Sequence, residues 1–280
     1  MGIMDYFKQV STWPAQKVRE FLQERDYGEY NLVDVRQPRE YENGHLPGAT
    51  LIPVGQLAER LDELDPARPT ITYCAAGVRS RAAASVLERA GFKEVHSMAG
   101  GINAWQGLVA EGFPEAGISW FAEARSTDEL MALAWILEEG TRTFYEKMAG
   151  ATADPSSALL FRELAKDEER HEEVLSDLYR DIRGAVGGID FPSLLDGYHQ
   201  EKIMEGGMRL DDALAWAEGR NTKDILELSI SLETGSYDRY LIMQEKTTGE
   251  QSLKIFKSLA GEEKRHLQKL VELFEKNLGP

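Results

Sequence analysis

FRELAKDEERH, residues 161–171, comes back 95 residues later as FKSLAGEEKRH, residues 256–266. A second pair keeps the same offset: LEEGTRTFY at 137–145 and LETGSYDRY at 232–240. This part of the chain is an internal repeat. Each copy carries one Glu in its first segment, Glu138 or Glu233, and a Glu-x-x-His in its second, Glu168 with His171 or Glu263 with His266. Residues three apart on a helix share a face, so each Glu and its His point the same way. If each copy folds as a helical hairpin, four carboxylates and two imidazoles converge in one core. Buried without a counter-charge they would repel one another at heavy cost. Two divalent or trivalent metal ions remove that cost.

A lone Glu-x-x-His is common on solvated helix faces; two copies in register, each with a matched upstream Glu, point to metal. Asp167 and Glu262 precede the two motifs and suit the outward N–H groups of the histidines. Arg170 and Arg265 either neutralise spare carboxylate charge or serve as surface partners. Tyr145 and Tyr240 either hydrogen-bond a ligand carboxylate or fill core. Apolar spacing and breakers predict four long helices, at about 128–150, 155–183, 222–246 and 250–278. The stretch between the second and third, 184–219, is too long for a tight turn and fits a crossover connection.

The first part of the chain alternates strand and helix signals, which predicts a parallel α/β sheet. NLVDVR (31–36), PTITYC (69–74) and EVHSMAGG (94–101) read as strands. A helix start is expected at 11–14 with Pro14 near its first turn, and helices at 56–64, 79–92 and 102–112. Gly91 stops the one at 79–92. The single cysteine, Cys74, ends a strand and faces CAAGVRS, residues 74–80. Such a loop can curl its N–H groups inward as an anion nest, and the following helix adds its positive end. Both lower a thiol's pKa. Gly77 permits the turn, and Arg79 or Arg81 adds charge or ties the loop down. The cysteine phosphatases are the rival reading, but they have five residues between Cys and Arg, and here four separate Cys74 from Arg79. Asp34 and Arg36 are expected to pair or brace the loop, His45 to hold a turn, and Trp105 to lie in the core.

The 280 residues suffice for two domains, and 42% hydrophobic content supports real cores. A net charge of −16 repels phosphate backbones and anionic membranes, so neither nucleic acid nor membrane is an expected partner. One cysteine excludes an internal disulfide and Cys-x-x-Cys metal sites. The N-terminus has no signal-peptide pattern, position 6 of a myristoylation motif is Tyr6, and no apolar run would span a bilayer. A cytoplasmic location is the expectation.

Two resemblances follow from these motifs. From about residue 128 to the end, the chain resembles the rubrerythrin branch of the ferritin-like superfamily, carried by the repeat and its Glu and Glu-x-x-His residues. It implies an all-α four-helix bundle with a di-iron centre held by Glu138, Glu168, His171, Glu233, Glu263 and His266, although manganese or zinc would suit the same ligands. Rubrerythrins carry a further Glu three residues after the first ligand of the third helix, where this chain has Ser236, and a rubredoxin domain that one cysteine cannot supply. Both departures weigh against a rubrerythrin-type peroxidase cycle, and electrons would have to come from a separate protein. Residues 5–114 resemble the single-domain rhodaneses through CAAGVRS, LVDVRQPREYENGHLPGA (32–49) and AGGINAWQGLVAEGFP (99–114). That implies a sulfurtransferase with Cys74 and Arg79 as catalytic residues and Ala75, Ala76, Gly77, Val78 and Ser80 as the substrate-binding loop.

The expected organisation is a rhodanese-like α/β domain at 1–114, a linker at 115–127 and a ferritin-like bundle at 128–280. The expected activity moves sulfane sulfur from thiosulfate or a persulfide, through a Cys74 persulfide, to a thiol or cyanide. Two alternatives compete: a di-iron peroxidase or oxidase, and an iron-binding sensor in which the rhodanese part is a sulfur carrier. Ferritin-like bundles often dimerise, and no feature of the sequence fixes the oligomer.

Overall fold

A computed structural model describes residues 10–111, 127–183, 202–247 and 249–277. The extreme N-terminus, nearly all of the expected linker and the first half of the expected crossover lie outside these residues. The chain divides into two compact units, one built on a sheet and one on long helices.

The sheet has five parallel strands: β1 (Thr12–Pro14), β2 (Asn31–Asp34), β3 (Thr50–Leu51), β4 (Thr70–Tyr73) and β5 (Val95–Ala99). Their order is β1-β5-β4-β2-β3. Every residue of β2 and β4 is buried, as expected for central parallel strands covered on both faces. Register is set by Leu32 opposite Ile71, Asp34 opposite Tyr73 and Ile71 opposite His96. The helices are α1 (Ala15–Gln23), α2 (Pro38–Glu42) and α3 (Val78–Arg89). Between sheet and helices lies a core of Val33, Val35, Ile52, Leu57, Ala83, Ala84, Leu87 and Phe92, and Cys74 belongs to it.

Four expectations in this unit need correction. The stretch at 11–14 forms edge strand β1, paired with β5, before α1 begins at Ala15; proline is tolerated there because an edge strand can spare its N–H. Residues 56–64 make only two 3₁₀ turns, Leu57–Glu59 and Leu61–Glu63. Leu57 and Leu64 are both drawn into the core, and Leu64 is extended. The expected helix at 102–112 is a 3₁₀ turn over Gly101–Ala104 that ends at an extended Trp105. The chain then runs out so that Ala110 can exchange backbone hydrogen bonds with His45, each 2.8 Å. Trp105 is half-buried rather than core. Its indole N–H donates to the Leu108 carbonyl at 3.0 Å and folds over Gly107, where a Cβ would stand 2.8 Å from the ring.

The helical unit holds α4 (Thr127–Ala151), α5 (Pro155–Arg183), α6 (Leu210–Ala217), α7 (Thr222–Lys246) and α8 (Glu250–Asn277). The four long helices agree with the expected spans to within a residue at each end. Asp154 ends the short α4–α5 turn by accepting the Ser157 N–H at 2.7 Å, and Pro155 occupies the first helical position. Phe144, Phe161, Leu164, Leu226 and Leu270 form the apolar core, joined by Met204 of the crossover. No helix among the described residues is long and apolar enough to cross a membrane.

Candidate functional site

Cys74 leaves the end of β4 and α3 begins at Val78 after Gly77, whose φ of +89° places it in the left-handed region. A Cβ at Gly77 would lie 3.1 Å from the Gly100 nitrogen. Gly101 closes the loop from below: a Cβ there would stand 2.0 Å from the Cys74 carbonyl oxygen. The carbonyls of Cys74 and Ala75 are taken by the N–H groups of Ile102 at 2.8 Å and Asn103 at 3.1 Å. With its carbonyls turned to the Gly100–Gly101 turn, the loop offers amides to the sulfur. The Gly77 N–H donates to Sγ at 3.1 Å, and the Ser80 hydroxyl lies 3.6 Å away. Ser80 is itself held by the buried Ser97 hydroxyl at 2.8 Å. Burial pushes the Cys74 thiol up, but hydrogen bonds from Ser80 and from the Ala76 and Gly77 amides outweigh it and hold the thiol below its ordinary range.

The two flanking arginines separate in role. Arg79 forms a two-pronged pair with Glu40 of α2, both contacts 2.7 Å. The Arg79 guanidinium holds Glu40 down at about 2, and Glu40, then Cys74, keep Arg79 firmly charged. Arg79 thus fixes the loop to α2 while its charge reaches the sulfur; Arg81 is exposed. Sequence reasoning missed Glu40, whose place in the capping box of α2 was its only signal. Asp34 and Arg36 pair as expected, with Nη2 2.6 Å from Oδ2, and Arg36 also donates to the Gly44 carbonyl at 2.6 Å. His45 is buried, stacks on Tyr41 at 3.6 Å between ring centres and bonds the Tyr41 carbonyl through Nδ1 at 3.0 Å. It holds a turn. Val78 stands at the loop mouth, 68% exposed.

In the helical unit all six expected metal residues come together and all are buried. α4 gives Glu138, α5 Glu168 and His171, α7 Glu233, and α8 Glu263 and His266. Ligand atoms of Glu138, Glu168, His171 and Glu263 lie within 4.8 Å of one another, as do those of Glu168, Glu233 and His266. Glu168 belongs to both groups. Each histidine turns Nδ1 inward. His171 Nδ1 is 3.0 Å from both Glu138 and Glu168, and His266 Nδ1 is 3.2 Å from Glu233.

The outer partners cross between hairpins. His171 Nε2 meets Glu262 of α8 at 3.1 Å, and His266 Nε2 meets Asp167 of α5 at 3.2 Å. Arg170 pairs with Asp167, and Arg265 lies 3.5 Å from Glu262. The arginines therefore balance the outer acids, not the inner carboxylates. The tyrosines cross in the same way: Tyr145 donates to Glu233 and Tyr240 to Glu138. Burial and then the neighbouring carboxylate charge push both phenols well above their ordinary range, so each remains a donor.

The cluster is not self-sufficient. Both oxygens of Glu168 and of Glu263 are buried without a hydrogen-bond partner. Burial, then the charges of Glu138 and Glu233, pushes Glu168 far above the usual carboxylate range. Burial also pushes Glu233 up, but the neighbouring Glu263 carboxyl and the hydrogen bonds of His266 and Tyr145 bring it down to about 2. Carboxylate oxygens and imidazole nitrogens around a space with orphaned acceptors are the donor set of a dinuclear cation site. Sequence reasoning missed one member. Glu205, on the crossover, is fully buried, has both oxygens unpartnered, and groups with Glu233 and Glu263.

Comparison with known proteins bears on both units. Residues 16–108 match the family described as rhodanese-like domain, and residues 129–222 and 224–279, more than half of the chain, match the family described as rubrerythrin. An uncharacterized protein of Bacillus subtilis (strain 168), YqhL, is 37% identical over 98 residues, 34% of this chain and 78% of that protein. The putative sulfur carrier protein YrkF of the same organism is 36% identical over 98 residues; the match covers 35% of this chain and only 53% of YrkF. The thiosulfate sulfurtransferase GlpE of Pseudoalteromonas translucida (strain TAC 125) is 36% identical over 80 residues, 29% of this chain and 76% of that enzyme.

Proposed function

The chain belongs to the rhodanese-like and rubrerythrin families at once, and from that premise we propose that it is a sulfurtransferase carrying a di-iron carboxylate domain. One observation carries the sulfurtransferase reading: Cys74 Sγ accepts the Gly77 N–H at 3.1 Å at the start of α3. A thiol placed there is ready as a thiolate.

The Cys74 thiolate attacks the outer sulfur of thiosulfate. A Cys74 S–S bond forms, the S–S bond of thiosulfate breaks, and sulfite leaves with the electron pair. The amides of Ala76, Gly77 and Ser80 and the Ser80 hydroxyl face the sulfur anion as it develops, which is electrostatic preorganisation. Arg79, fixed by Glu40, adds positive charge at the mouth and favours a dianionic donor. In the second half-reaction an acceptor thiolate, or cyanide, attacks the outer sulfur of the Cys74 persulfide. The S–S bond breaks, the acceptor leaves sulfurated, and the Cys74 thiolate returns.

In the bundle, Glu138, Glu168, His171, Glu233, Glu263 and His266 would hold the two iron ions. Bound iron supplies one- and two-electron redox chemistry. The chain's own contribution is to fix the histidine tautomers through Glu262 and Asp167, and to orient Glu233 and Glu138 through Tyr145 and Tyr240. Manganese is compatible with the same donors. The buried cluster also supports a second reading in which the principal activity is metal-centred peroxide reduction. Peroxide consumption that needs iron and survives Cys74→Ala would favour it.

The test of the leading reading is intact-mass spectrometry after incubation with thiosulfate. Wild type should gain one sulfur atom, lose it to cyanide, and the Cys74→Ala variant should gain none. A gain that persists in Cys74→Ala would reject the assignment.

A further inference from the structure

We infer that Glu205 is a seventh ligand of the dinuclear centre, delivered by the connection between the hairpins and not by a bundle helix. This rests on reading the six-residue cluster as a metal site. Glu205 sits in a tight turn at Glu205–Gly207. Ile203 and Arg209 bridge antiparallel, Met204 N–H donates to the Met208 carbonyl at 2.8 Å, and Gly207 N–H donates to Met204 at 3.0 Å. The turn is pressed against α4. A Cβ at Gly140 would stand 2.2 Å from the Ile203 carbonyl oxygen, so only glycine allows this approach. One residue on, the Thr141 hydroxyl accepts the Glu205 N–H at 3.1 Å. Gly140 and Thr141 lie two and three residues after the ligand Glu138. The backbone of the connection is thus fixed beside the metal residues, and its carboxylate lies inside the cluster.

The described residues leave that carboxylate short of donors. Neither oxygen has a hydrogen-bond partner. Ser236, one turn after Glu233, lies close enough to ease the burial of Glu205, but its hydroxyl donates to the Leu232 carbonyl at 3.2 Å. The buried Arg239 attracts Glu205 without hydrogen-bonding it, and Arg239 Nε and Nη1 are also unpartnered. By contrast, ligand oxygens of Glu205, Glu233 and Glu263 lie within 4.8 Å of one another. The internal repeat explains the arrangement. Thr141 and Ser236 are equivalent positions; one holds the backbone of the connection and the other lies beside its side chain. The two metal positions are therefore unequal, and the one nearer Glu233 has the extra carboxylate.

The experiment is a cobalt(II) titration of the metal-free full chain, read by d–d absorption and by metal analysis, with thermal melts of each metal-free sample. Wild type is expected to take two ions per chain. Glu205→Gln should weaken one of the two by on the order of tenfold or more and change the d–d spectrum of that ion. Metal-free Glu205→Gln should melt no lower than metal-free wild type, because it removes an unpaired buried carboxylate. Glu205→Gln with Ser236→Glu restores a carboxylate on the same helix face as Glu233 and should recover the second ion. Wild type with two ions and an unchanged Glu205→Gln isotherm and spectrum would overturn this assignment alone. So would a metal-free Glu205→Gln that melts lower while binding both ions normally, which would make Glu205 a structural partner of Arg239. Wild type that takes up no cobalt would remove the dinuclear reading and this ligand with it.

Discussion

The phenol of Tyr145, on α4, donates its hydrogen bond to Glu233, on α7. The equivalent pair one repeat on, Tyr240 to Glu138, makes the reverse connection. Each hairpin therefore orients a carboxylate of the other. The histidines follow the same rule through Asp167 and Glu262. The repeat is knitted together at these buried Glu and His residues, so each half depends on the other for its geometry.

Removing one phenol should act on the opposite hairpin's ligand. Tyr145→Phe frees Glu233 and should weaken the ion nearest Glu233 and His266 by about tenfold to a hundredfold. Tyr240→Phe should do the same to the ion nearest Glu138 and His171. Competitive metal titration of both variants checks this, and equal weakening of both ions in each variant would contradict it.

Asp167 is only four residues from His171, yet it serves His266. Asp167→Asn should displace the paramagnetically shifted N–H proton of His266 in the cobalt-loaded protein and leave that of His171 in place. Glu262→Gln should do the converse. Proton NMR of the two variants decides between this crossed pattern and a same-helix one.

A group held below its ordinary pKa is charged above its folded value and loses that charge as pH falls through it. Cys74 is such a group, because burial, which raises it, is outweighed by donors from Ser80, Ala76 and Gly77. Its alkylation by iodoacetamide should therefore stay fast below the pH at which an ordinary thiol slows. Ser80→Ala removes one donor, so the pH–rate curve should move to higher pH. A curve that does not move would show that the Ser80 hydroxyl contributes nothing to the thiolate.

Gly101→Ala would place a methyl group 2.0 Å from the Cys74 carbonyl at a residue with φ of +59°. The clash and the strained backbone should cost roughly 2 kcal/mol or more in the sheet unit. Sulfur transfer should fall sharply with metal content unaltered. Thermal melts beside an activity assay test both halves.

The long helices and the Glu and His residues they bring together were legible because a repeat at one fixed offset makes a weak motif specific. Glu168 and His171 announce themselves by spacing, and Glu263 and His266 repeat it. Crossed partners were not legible: sequence places Asp167 near its own histidine and says nothing of which helix faces it. Glu205 was hidden for another reason. Its turn, KIMEGGM at 202–208, has no counterpart in the repeat and follows no helical period. In the sheet unit, CAAGVRS was readable as an anion loop, whereas Ile102 and Asn103 gave no sign that their N–H groups hold the loop carbonyls. The stretch at 102–112 carries helical residues, but pairing of Ala110 with His45 overrides local preference.

The most direct test of the central claim is thiosulfate-to-cyanide sulfur transfer by the purified full chain, wild type beside Cys74→Ala, with metal content measured on the same samples. The account predicts activity in wild type, none in Cys74→Ala, and two metal ions per chain in both. Equal activity in the two proteins would contradict the assignment of Cys74, and a wild type loaded with two ions but unable to turn over thiosulfate or a persulfide would move the function to the helical bundle.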